Sequence, residues 1–354
     1  MAQYSPPMCQ LVGYIGDRPI APFILKALEL QEAYLGAHAT GMGVIDLKGK
    51  IQVQKASGPV ASVKKSTSIM KLKGNVGIGH SRYSFIARED PRCDIDSMCH
   101  PFTNDSGDIA MMHNGDIANF KEHWDRLKTN HKFKGYNPAV DWITDSEVAV
   151  HMIDEEVKNG AGFDEALRIV MPKLTGQVLL CLISESEPDT IWLANRWQPC
   201  YLGIGKDEAM WVSSKVGLEP VRDELKKIYS PPKNSLIKLT RGKADVQVLD
   251  PNYKVADLKL NKKILKEGIL SILGVSDLDY HRLWYSLDKT HLAKAYGIDQ
   301  EEWKTLRRDY GVSIVNPLIE TLDELIEAGK VERSIDYRRE GCTAKTPRFL
   351  FSLV

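Results

Sequence analysis

Four strand-like runs crowded between residues 177 and 214 constrain the fold more than any other feature of the chain. QVLLCLIS, TIWLANR, CYLGIG and AMWVSS follow one another closely, the pattern of a hairpin-rich sheet. Upstream, strands are predicted at 9–16, 41–58 (two strands around the Lys48-Gly49-Lys50 turn), 75–84 and 108–115, the last ending in a turn at Asn114-Gly115. Helical periodicity runs over 20–36, 60–72, 117–129, 145–159 and 163–173. Residues 86–106 read as a long polar loop. Strands grouped with strands and helices with helices predict an α+β layered fold, not alternating βαβ units.

Near 250–262 the pattern changes to a polar stretch followed by helices over roughly 262–275, 278–296 and 299–308. A further helix ends at Gly329, and two β-like runs, KVERSID and PRFLFSL, close the chain in the order of a winged helix. Three units are therefore expected: residues 1–8 as a propeptide, 9–255 as the main domain, and 256–354 as a small helical, winged-helix-like domain. A fragment ending near Asp250 is expected to fold alone.

Charge and cysteine usage narrow the function. With 47 basic and 47 acidic residues there is no global pull toward nucleic acid or anionic membranes. The tail from 258 carries 16 basic and 15 acidic residues, against the excess expected of a nucleic-acid-binding module. No apolar run reaches the length of a membrane helix, and the six scattered cysteines do not form a disulfide framework. The expectation is a cytoplasmic enzyme. Cys93, Cys99 and His100 lack zinc spacing and read as loop residues; no metal or cofactor is expected.

The chemistry lies in a constellation. Amide hydrolysis by a thiol needs a thiolate, a nearby base and donors for the developing oxyanion. A cysteine at a free N-terminus brings its own base, since an α-amine has a pKa of roughly 7.7–8.0. An Asn-Gly pair offers a side-chain amide and a backbone N–H. An amino-acid substrate also needs a cation for its carboxylate and an anion for its ammonium group.

Five motifs in order resemble the class II glutamine amidotransferases, which are N-terminal-nucleophile hydrolases. They are Met8-Cys9-Gln10-Leu11-Val12, Gly79-His80-Ser81-Arg82-Tyr83-Ser84, Cys99-His100-Pro101-Phe102, His113-Asn114-Gly115 and Thr144-Asp145-Ser146-Glu147. The resemblance covers about residues 9–250 and implies a four-layer αββα sandwich. It implies Cys9 as nucleophile on the glutamine side-chain amide, with Asn114 and Gly115 holding the oxyanion. Arg82 would take the α-carboxylate and Asp145 the α-ammonium, with Tyr83 and His100 also at the substrate. Glutamate and ammonia would be the products, the ammonia passing to a separate synthase subunit. The chain departs from the family's usual residues at Gln10, at Phe85 and Ile86, and in the 36–41 loop, positions that bear on glutamine affinity. Two other readings stay open: a glutamine sensor with a C-terminal output module, and an amidohydrolase for a different amide.

Overall fold

The computed structural model describes residues 9–84, 96–339 and 345–354. Residues 1–8, expected to be a propeptide, and the positions of Phe85, Ile86 and Cys93 lie outside the described residues.

In chain order the N-terminal half contains β1 (Gln10–Ile15), α1 (Ile20–Glu32), β2 (Ala39–Ile45), β3 (Ile51–Ser57), α2 (Val60–Ser66), β4 (Val76–Arg82), β5 (Phe102–Thr103) and β6 (Ile109–Ile117). It continues with α3 (Phe120–Leu127), α4 (Asp145–Lys158), α5 (Phe163–Val170), β7 (Gly176–Ser184), β8 (Ile191–Asn195), β9 (Tyr201–Ile204), β10 (Ala209–Val212), β11 (Lys227–Tyr229), β12 (Ser235–Thr240) and β13 (Lys243–Val248). One sheet runs β11-β9-β10-β1-β4-β2-β3 and the other β13-β12-β8-β7-β6-β5.

The period-two alternation of side chains explains how these sheets stack. On β1, Leu11 and Ile15 face an inter-sheet core that also holds Met112, Leu179, Cys181 and Trp211. Val12 and Tyr14 face the other way, toward Ile24 and Leu28 of α1. On β7, Val178, Leu180 and Leu182 leave the inter-sheet core to pack with Ala149, Ile153 and Leu167 of α4 and α5. The layers are thus helix, sheet, sheet, helix. Because both faces are covered, runs such as VLLCLI are continuously apolar.

The C-terminal part contains α6 (Lys262–Leu273), β14 (Leu278–Asp279), α7 (Tyr280–Thr290), α8 (Leu292–Tyr296), α9 (Gln300–Tyr310), α10 (Val315–Glu327), β15 (Val331–Arg339) and β16 (Lys345–Leu353). Its small sheet has the order β14-β16-β15. Its core does not close on itself. Ile269, Leu283, Trp303, Leu318 and Phe351 pack together there, and the same cluster takes in Tyr34, Leu35, Tyr83 and Trp197 of the N-terminal half. Phe349 N–H donates to Ala33 O (2.9 Å), and the Arg348 guanidinium donates to Gly36 O (3.0 Å). This shared core does not fit the expectation of a self-sufficient fragment ending near Asp250. No described helix is long and apolar enough to cross a membrane.

Candidate active site

Cys9 immediately precedes β1. By the alternation that turns Leu11 inward, it packs against the inter-sheet core, while Gln10 turns to the opposite face. There Gln10 Oε1 accepts from Ser214 Oγ (2.9 Å), and Ser214 N–H donates to Gln31 Oε1 (2.8 Å). The Gln10 side chain therefore points away from the thiol. Gln10 pairs with Ser81 on β4, which brings the Arg82-Tyr83 segment beside Cys9. Tyr83 N–H donates to Cys9 Sγ (3.4 Å), and the thiol lies 3.7 Å from Tyr83 O.

The second sheet supplies the other wall. Asn114 is on β6, on the same inward-facing register as Ala110 and Met112, and Cys9 N–H donates to its Oδ1 (3.1 Å). A nitrogen bearing hydrogen must face the oxygen end of the amide, so the Nδ2 end points elsewhere. That Nδ2 is buried and has no hydrogen-bond partner. Gly115 follows with φ +128°, and a Cβ there would lie 1.8 Å from Gln177 O. The Asn-Gly pair is not the hairpin turn expected from the sequence. The strand runs on through it, with Gly115 opposite Val178, so the left-handed φ is accommodated within a paired strand.

Asp145 opens α4, whose N-cap is Thr144, with Thr144 Oγ1 accepting from Glu147 N–H (3.3 Å). Asp145 Oδ2 accepts from Ile117 N–H (2.8 Å), tying the helix start to the strand end just past Gly115. Its Oδ1 accepts from Ser146 Oγ (3.0 Å). Glu147 clamps the preceding loop by accepting from Lys134 N–H (2.7 Å) and Gly135 N–H (2.8 Å). Each residue of the Thr-Asp-Ser-Glu motif thus has a separate task.

His100 is buried behind β6 and reaches the site only through others. Its Nδ1 accepts from His113 N–H (3.3 Å), which leaves the proton on Nε2 to be donated to Ser146 Oγ (3.3 Å). Its ring stacks on His80 at 4.0 Å. Burial first, then neighbouring positive charge, holds His100 well below the usual histidine range; burial takes His80 to about 3. Both rings are neutral at physiological pH. They form a neutral polar bracket that ends on Asp145.

Burial pushes the Cys9 thiol up to about 11, opposed first by the Tyr83 backbone hydrogen bond and then by the Arg82 guanidinium. With the preceding residues attached, Cys9 is a thiol that needs a base. Tyr83 presents backbone to the sulfur, whereas its ring is buried between His38 (5.0 Å) and the Arg348 guanidinium (5.5 Å). The sequence placed Tyr83 at the substrate; its ring instead belongs to the core shared with the C-terminal segment. Sequence reasoning missed His38 and Arg348 in this surround, and it gave no role to Ser146, although that residue lies inside the Thr-Asp-Ser-Glu motif.

Residues 87–218 match the glutamine amidotransferase domain family. The chain carries a class II glutamine amidotransferase domain. It is 36% identical over 211 residues to the glutamine–fructose-6-phosphate aminotransferase (isomerizing) of Thermococcus kodakarensis, covering 59% of this chain and 32% of that protein. The protein of the same name from Chlorobaculum tepidum is 31% identical over 269 residues, covering 74% of this chain and 41% of the relative. The chain therefore spans about a third to two-fifths of the curated relatives it matches. Among solved structures, glutamine phosphoribosylpyrophosphate amidotransferase from B. subtilis shares the fold. The TM-score is 0.59 at 16% identity, covering 82% of this chain and 64% of that one. The amidotransferase sandwich thus accounts for the two sheets and their helical covers.

Proposed function

We propose that this chain hydrolyses the side-chain amide of glutamine through a Cys9 thioester, after removal of residues 1–8, and passes the ammonia to a separate synthase subunit. The observation that carries the reading is Asn114, whose two ends face two tasks. Its Oδ1 holds the Cys9 nitrogen, and its Nδ2 is a buried donor without a partner. Such a donor costs about 1–3 kcal/mol when left unmade, a cost that an incoming carbonyl oxygen removes.

Once the preceding peptide bond is cut, the Cys9 nitrogen becomes an amine. Asn114 Oδ1 can keep accepting one of its hydrogens, which leaves the lone pair free to take the thiol proton. The thiolate attacks the glutamine Cδ, and the negative oxygen so formed is received by Asn114 Nδ2 and the Gly115 backbone. The ammonium proton returns to the departing nitrogen, ammonia leaves, and water hydrolyses the thioester to glutamate. Arg82 would pair with the substrate carboxylate. Asp145 would take its ammonium group on lone pairs not used by Ile117 and Ser146.

The test is ammonia release from glutamine by protein whose N-terminus has been sequenced, beside Cys9→Ala. Full turnover with residues 1–8 still attached would defeat the free-amine mechanism. A second reading, a glutamine sensor, is favoured by Tyr83, which joins the thiol to the C-terminal segment. Saturable glutamine binding by processed protein without ammonia release would select it.

A further inference from the structure

The sequence of α4 sets His151 three residues before Asp154, a spacing that puts both on one helical face. The fold brings two more ligand-capable groups to that face. Asp105 comes from the loop between β5 and β6, and His131 from the segment after α3. One donor atom from each of the four lies within 4.8 Å of all the others. Asp105 is exposed, His131 partly so, and His151 and Asp154 are buried, giving a closed floor with an open mouth.

A second observation points to a ligand. His151 is fully buried, and neither of its ring nitrogens has a hydrogen-bond partner. The ring is confined by His131 at 4.6 Å and Phe133 at 4.7 Å. Imidazole nitrogens withdrawn from water are normally satisfied, and leaving them orphaned is costly. The carboxylates, by contrast, are already oriented from behind. Asn104 Nδ2 donates to Asp154 Oδ1 (2.9 Å), Lys158 Nζ donates to Asp154 Oδ2 (2.7 Å), and Lys132 N–H donates to Asp105 Oδ1 (3.0 Å). Such outer contacts are what metal-binding carboxylates usually have. Glu155, 3.5 Å from His131 Nε2, is engaged by Arg126 (2.7 Å) and is left out of the donor set.

We propose that Asp105, His131, His151 and Asp154 form a binding site for one divalent transition cation of the zinc type. Two imidazoles and two carboxylates make a four-donor set whose formal charge balances the ion. The two nitrogen donors favour zinc-like ions over calcium or magnesium, which seek oxygen. His131 Nδ1 and Asp105 Oδ2 now share a hydrogen bond of 2.8 Å, and the cation takes the place of that proton. The ion ties two loops to the helix that begins with Asp145. His151 lies about 9 Å along the axis from that end. It is a clamp on the helix, apart from the amide chemistry.

Full-length protein is stripped with a chelator and titrated with Zn²⁺ alone, with Co²⁺ in parallel for its visible absorption. The expected result is one Zn²⁺ per chain with micromolar or tighter affinity, a higher Tm, and the intense bands of tetrahedral Co²⁺. Asp105→Asn should weaken Zn²⁺ binding at least tenfold, and His151→Gln should do the same or more. Asp105 is exposed, so its variant tests the site even where His151→Gln does not fold. No stoichiometric binding, or binding unchanged in Asp105→Asn, would overturn the assignment.

Discussion

At the scale of single residues, the chemistry turns on which end of Asn114 faces which group. Asn114→Ala removes both ends and should lower kcat by about 10²–10³. Asn114→Asp is the sharper probe, because it keeps an oxygen for the Cys9 nitrogen and turns the orphan donor into a repelling acceptor. It should lose at least as much activity while Cys9 remains open to alkylation; a loss below tenfold in kcat would remove Asn114 from the oxyanion site. Cys9 itself makes a pH prediction. With its thiol pushed up to about 11 in the unprocessed chain, the thiolate fraction at pH 7 is on the order of 10⁻⁴. Because deprotonation makes the nucleophile, the iodoacetamide rate should climb about tenfold per pH unit from 7 to 10. In processed protein the rise should come near pH 8, where the amine titrates. Identical profiles for the two forms would show that the amine does not act on the thiol.

At the scale of elements, much of the site was legible because its residues form short contiguous motifs at strand ends and at one helix start. Among the motif residues, Cys9 N–H reaches Asn114 Oδ1 on β6, and Asp145 holds the end of that same strand through Ile117 N–H. Other features were hidden for physical reasons. The hairpin β12–β13 went unassigned although KADVQV alternates polar and apolar residues and turns Ala244 and Val246 to the inter-sheet core; β13 is a short edge strand and mostly exposed. Asn114-Gly115 looks like a turn because the local signal is a left-handed φ, and a strand paired with β7 can also house one. The four-residue cation site has no motif at all, since its members come from two loops and a helix. Element packing also yields a prediction at Glu32, which ends α1 and accepts from Val60 N–H (3.1 Å) and Ser81 Oγ (3.4 Å). Burial raises its carboxyl to about 7, from an ordinary value of 4.5. Between those values the folded state holds a proton that the unfolded chain has lost, so Glu32's contribution to stability is present below 4.5 and disappears as pH rises through 7. Glu32→Gln should therefore gain stability relative to wild type on going from pH 4.5 to 7.5. Parallel urea midpoints at both pH values would refute the protonation.

At the scale of the molecule, the two parts of the chain share a core rather than a linker. Removing residues 256–354 uncovers Tyr34, Leu35, Tyr83 and Trp197 together. Fully burying one large apolar side chain is worth about 1.5–3 kcal/mol, so losing several covers rivals the margin of a whole domain. The truncated protein should aggregate or melt at least 10 °C below the full chain by scanning calorimetry; an unchanged Tm would restore the idea of an independent tail. The same geometry has a mechanical side. Tyr83 is a rigid lever whose short arm, its N–H, rests on the nucleophile, and whose long arm, its ring, is gripped between His38 and Arg348. Any partner that tugs on β16 would move the long arm, and the sulfur would feel it.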